Sequence, residues 1–88
     1  MEFEWDEAKS AGNKLKQGIS FEEVALRMGG EGFIDSFPNP SQNPKHIGQM
    51  LVRFSTEDGR EWTAVVEPRN DRIRIITVQQ RRKYRSKK

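Results

Sequence analysis

Two stretches of this chain carry an apolar side chain at every even position: Met50, Val52 and Phe54, then Trp62, Ala64 and Val66. Such alternation describes a strand with one buried face, and the register between two such strands decides whether they bury the same one. Glu57-Asp58-Gly59, with Gly59 in the left-handed position, forms a three-residue hairpin loop that sets Phe54 opposite Trp62 and Val52 opposite Ala64. A shorter Asp58-Gly59 loop would set Phe54 opposite Thr63 and split the apolar set between two faces. The following hairpin is expected to turn on Pro68-Arg69-Asn70-Asp71, with Val66 opposite Ile73 and Ala64 opposite Ile75. Strands are expected over 47–55, 60–67 and 72–78.

Upstream, the period changes. Met1, Phe3 and Trp5 alternate with Glu2 and Glu4, predicting a short strand over 1–5. Trp5, Ala8, Ala11 and Leu15 then recur at helical steps, so a helix is expected over 6–17, with this stripe buried, Asp6 as its cap and Gly18 just past its end. Ser20 and Glu23 stand in the capping-box relation, flanked by Ile19 and Val24 as a hydrophobic staple, and open a second helix over 20–28. Phe21, Val24, Ala25 and Met28 form its apolar face. A strand over 32–37 follows, then a proline-rich loop through Pro38, Pro40 and Pro44.

The 88 residues leave room for one domain, expected over 1–80. The fold class is therefore α+β: a short N-terminal strand, two helices, then an antiparallel sheet with both helices on one face. There is no cysteine and only one histidine, so neither a disulfide framework nor zinc-site spacing is present, and neither metal nor cofactor is expected. With no leader-like or membrane-spanning apolar run, the expectation is a soluble, unprocessed, cytoplasmic protein.

The net charge of +3 conceals an asymmetry. Residues 81–88 hold Arg81, Arg82, Lys83, Arg85, Lys87 and Lys88, so residues 1–80 alone carry −3. A terminal basic block of this kind is either a solvated tail or an arm that touches nucleic acid. The strand phasing also turns Arg53, Ser55, Glu61, Thr63, Glu67, Arg72 and Arg74 away from the helices, together with Leu51, Val65 and Ile76. Arg53 is expected opposite Thr63, Arg74 opposite Val65, and Arg72 paired with Glu67. Guanidinium groups among apolar side chains suit a phosphate-bearing ligand, a protein partner, or a plain solvated face.

The opening Glu2-Phe3-Glu4-Trp5-Asp6-Glu7-Ala8-Lys9, the junction Gly18-Ile19-Ser20-Phe21-Glu22-Glu23 and the segment Asp71-Arg72-Ile73-Arg74-Ile75-Ile76 together resemble the BrnT family of bacterial toxin ribonucleases. The likeness runs over residues 1–78. It implies a RelE-like fold, endoribonuclease activity within a type II toxin–antitoxin system, and a ribbon-helix-helix antitoxin of the BrnA kind. It also implies a homodimer or a toxin–antitoxin hetero-oligomer that reaches operator DNA only through the antitoxin, and no membrane partner. The chain departs from the family pattern where Met28-Gly29-Gly30 replaces an Asp-Pro pair and where Thr77-Val78-Gln79-Gln80 replaces a Ser-Ala-Arg segment. The alternative is thus a catalytically degenerate relative that binds RNA or a protein.

RNA cleavage by the substrate's own 2′-hydroxyl needs cations for the crowded phosphate, a base and an acid. The expected catalytic set is Arg53 and Arg74 for the phosphate and His46 as acid or base, because imidazole titrates near neutrality. Expected RNA contacts are Lys45, Arg72, Arg81, Arg82 and Tyr84, the last by stacking. If all six cations of the tail engage single-stranded RNA, deleting residues 81–88 should change the slope of log affinity against log salt by about 4. An unchanged slope would assign the tail to another task.

Overall fold

The computed structural model describes residues 2–80. Its elements are β1 (Glu2–Glu4), α1 (Glu7–Gln17), α2 (Phe21–Met28), β2 (Phe33–Pro38), β3 (Met50–Ser55), β4 (Glu61–Arg69) and β5 (Arg72–Gln80), with a 3-10 turn at Pro44–His46. They make an α+β domain around one five-stranded sheet in the order β1-β5-β4-β3-β2. The sheet is mixed rather than antiparallel throughout, because β1 lies parallel to β5, with Phe3 beside Ile73. A first strand joined to the rest through two helices can reach the far edge of the sheet without a tight turn.

Local signals work as their chemistry requires. The Asp6 carboxylate accepts from the amides of Ala8 and Lys9, and Gly18 closes α1 at φ 86°. The capping box of α2 is complete: Ser20 Oγ accepts from Glu23 N at 3.1 Å and Ser20 N donates to Glu23 at 2.8 Å. That backbone hydrogen bond, with Lys14 beside it, holds the Glu23 carboxyl below its ordinary range. Its contribution to stability is therefore present above the usual carboxylate pKa and fades as pH falls through the lowered one.

The core lies between α2 and the sheet. Phe21, Val24 and Met28 meet Phe54, Trp62, Ala64, Val66, Ile75 and Val78, all buried. The β3–β4 register places Phe54 beside Trp62 and Val52 beside Ala64, as the three-residue loop predicts. The two rings stack with centroids 6.4 Å apart and planes 9° from parallel, and the indole N–H donates to Thr56 Oγ1.

Three expectations change. The second hairpin turns on Asn70-Asp71 alone, with Asn70 at φ 46°, so Val66 faces Ile75 and Glu67 faces Arg74. Pro68 fits within β4 because β3 begins opposite Val66, so nothing on that side needs the missing N–H. A bulge at Ile76 then brings Val78 inward beside Ala64. Next, β3 starts at Met50 rather than 47, since Gly48 at φ 89° ends the preceding turn.

The third change is the docking face of α1. Ala8 and Ala11 are exposed and Leu15 is 88% exposed, while Ser10 is buried. This helix docks by hydrogen bonds to backbone instead of by an apolar stripe. Ser10 Oγ accepts from Phe21 N at 2.9 Å, Asn13 Nδ2 donates to Ile19 O at 2.7 Å, and Gln17 Nε2 donates to Val78 O at 2.8 Å. Removing the buried hydroxyl orphans the Phe21 amide, so Ser10→Ala should cost about 1–3 kcal/mol in urea unfolding. Leu15→Lys should change stability by less than about 0.5 kcal/mol. The reverse order would reinstate the apolar docking face.

Candidate functional site

The sheet face opposite the helices holds the residues to which the sequence points. Because β2, β3 and β4 are in register at Asp35, Arg53 and Thr63, the Arg53 guanidinium lies between carboxylates on both sides. Its Nε and Nη2 donate to the two oxygens of Asp35 at 2.7 and 2.8 Å, and Nη1 donates to Glu61 at 2.9 Å. Asp35, first through its hydrogen bonds, raises the pKa of Arg53 further above its already high value. Arg53 thus clamps three strands with most of its donor set, a geometry that leaves little of the fork for a phosphate.

Arg74 and Arg72 are held differently. Arg74 faces Glu67 across the ladder and lies 3.5 Å from Glu4, while Arg72 reaches Glu2 and Glu4 at 3.7 and 3.6 Å. Glu67 is taken by Arg69, so the expected Arg72–Glu67 pair does not form. These looser pairs at the β1–β5 edge can exchange a carboxylate for another anion. Arg53 stands apart from them: Thr63 and Glu67, their neighbours on β4, are separated by roughly 13 Å of strand.

His46 and Lys45 lie in the 3-10 turn that follows the proline-rich loop. His46 Nδ1 is 2.8 Å from Ser41 Oγ, and its other ring nitrogen has no hydrogen bond to the described residues. The register sets Met50, where that loop enters β3, beside Val66 and through it beside Ile75. The loop bearing Lys45 and His46 therefore meets the sheet at the level of Arg74, while Arg53 sits nearer the opposite hairpin. Arg81, Arg82 and Tyr84 lie outside the described residues.

Between the charged rows runs an apolar one. Phe37, Leu51 and Val65 are aligned across β2, β3 and β4, with Phe37 39% exposed. Two features of the site were not anticipated from sequence. Asp35 is the partner that fixes Arg53, and it falls in the expected 32–37 strand, whose pairing no turn signal revealed. Arg27, on α2, donates its Nε to Ser55 O at 2.9 Å and has no carboxylate partner among the described residues. Lys9, Lys16 and Lys45 are likewise without an ion pair among the described residues, whereas the remaining described cations are all paired.

No protein-family model matches the chain, and neither curated proteins nor solved structures give a match. The clamp yields a direct test. Arg53→Ala should lower the urea midpoint and Arg53→Lys should recover only part of the loss, since a point charge cannot bridge three strands. Arg74→Ala should leave the midpoint close to that of the unaltered chain. An unchanged midpoint in Arg53→Ala would show that the clamp contributes nothing to the fold.

Proposed function

We propose that this chain is the toxin half of a type II toxin–antitoxin pair, a RelE-like endoribonuclease of the BrnT kind that is neutralised by a ribbon-helix-helix antitoxin. The observation that carries the reading is the loose pairing of Arg72 and Arg74 with Glu2 and Glu4 on the outer face of β5, at the end of the sheet where the loop bearing Lys45 and His46 enters β3. The family-like motifs also do defined work in this fold: Asp6 and Ser20 cap the helices, and Ile73 and Ile75 seat β5 on the core.

In this scheme the strand is cut by attack of a 2′-hydroxyl on the adjacent phosphorus. The P–O5′ bond breaks, leaving a 2′,3′-cyclic phosphate and a 5′-hydroxyl. His46 takes the proton from the attacking hydroxyl, and water protonates the leaving oxygen. Arg74, with Arg72 and Lys45, holds the phosphate oxygens as their charge grows. Arg53 keeps the sheet rigid beneath them and is not assigned to the chemistry.

A second reading is favoured by the apolar Phe37-Leu51-Val65 row and the near-complete self-neutralisation of the outer face: the chain binds a protein partner and does not cleave. One assay separates the two. Purified chain incubated with RNA should give products with 5′-hydroxyl ends, and Arg74→Ala should reduce the rate on the order of 10²-fold. His46→Ala should reduce it by about 10²-fold or more. Both variants should abolish growth arrest in bacteria expressing the chain alone. Intact RNA with the unaltered protein, alongside tight binding of the antitoxin, would establish the partner-only reading.

A further inference from the structure

A groove of about 380 Å³ lies between α1 and β5, away from the residues assigned above. Its α1 wall is formed by Lys9, Gly12, Asn13 and Lys16, which follow the i, i+3, i+4, i+7 spacing of one helix face. Asn13 and Gln17 are spent on backbone carbonyls, Asn13 on Ile19 O and Gln17 on Val78 O, the second of which ties the helix to β5. Lys9 and Lys16 are not ion-paired among the described residues, and no carboxylate lines the groove. A hollow of about 350 Å³ between α2 and the β3–β4 hairpin is lined by charges of both signs, Glu23, Glu57 and Asp58 with Arg27 and Arg60, and is not a run of cations alone.

Gly12 adds an independent argument. Glycine inside a helix is destabilising relative to alanine. Here a Cβ would meet nothing within 4 Å, so packing does not require the glycine. What a side chain would do is project over the floor of the groove. A residue kept small at the expense of helix stability, between two unpaired lysines, suits a site that must remain open to something passing along the helix.

We propose that this groove binds the phosphodiester backbone of single-stranded RNA, with Lys9 and Lys16 as phosphate contacts and Gly12 leaving room for the strand. The two lysines are roughly 10 Å apart along the axis, about three phosphate steps of a stacked strand. Ile76 on the opposite wall offers a base an apolar surface. Contacts of this kind position the strand and read no sequence. The inference rests on the RNA reading above and adds where the strand is held before it reaches the far side of the sheet.

The test uses the full chain, so that residues 81–88 contribute equally throughout, and a labelled single-stranded oligoribonucleotide titrated at several salt concentrations. The Lys9→Ala, Lys16→Ala double variant should bind roughly tenfold more weakly at about 0.1 M salt, with a log–log salt slope lower by about 1.4. Gly12→Gln, a good helix former, should also weaken binding while melting no earlier than the unaltered chain. Gly12→Ala should raise Tm by about 4–8 °C. A fall in Tm for Gly12→Ala would mean that the glycine serves packing and would overturn the argument from it. Unchanged affinity in both the double variant and Gly12→Gln would overturn the groove while leaving the ribonuclease reading intact. No binding by the unaltered chain would overturn both.

Discussion

The stacked pair of Phe54 and Trp62 is the contact on which the rest of the sheet depends. Side chains in strands alternate faces, so once these two rings share the inner face, every other residue of β3 and β4 is assigned. Arg53, next to Phe54, is turned outward with Thr63 beside it and Asp35 within reach. Val66 is turned inward, and through it Ile75 follows. A slip of β3 by one residue would bring Arg53 into the core and turn Phe54 out, leaving Trp62 without its partner ring.

The outer face is organised by how tightly each cation is held. Arg53 meets two carboxylates at hydrogen-bond distance and serves as a cross-strand tie. Arg72 and Arg74 share Glu4 at 3.5–3.6 Å, a separation at which water and other anions compete. A guanidinium must be released before it can bind a phosphate, so the same residue type serves stability at one end of the sheet and suits ligand exchange at the other. Charge counting alone does not separate these roles; the neighbouring strand does.

Much of the fold was legible because its signals are local. The capping box of α2, the end of α1 at Gly18 and the Glu57-Asp58-Gly59 loop each depend on a few adjacent residues whose chemistry has one good solution. The second hairpin was misplaced because Pro68 reads as a loop residue until it is known that β3 stops short of it. The face of α1 was misread because an apolar stripe is the usual docking device, whereas Ser10, Asn13 and Gln17 bind backbone groups that no sequence pattern displays. The site was legible in its residue types and not in its geometry: Arg53, Arg74 and His46 could be named, but the tie to Asp35 required knowing that β2 lies beside β3.

The hydrogen bonds of Gln17 bear on how this protein can assemble. Its side-chain amide donates to Val78 O and accepts from Gln80 N, the same pair of groups that a residue of a parallel neighbouring strand would engage. It engages β5 four residues beyond Arg74, where the pairing with β1 ends at Glu4. The Val78–Gln80 stretch of the β5 edge is thereby covered by a side chain, and β1 forms the margin of the sheet over Glu2–Glu4. A strand from another molecule that sought to extend β1 along β5 would first have to displace the Gln17 amide from Val78 and Gln80, so this part of the edge is guarded by one side chain.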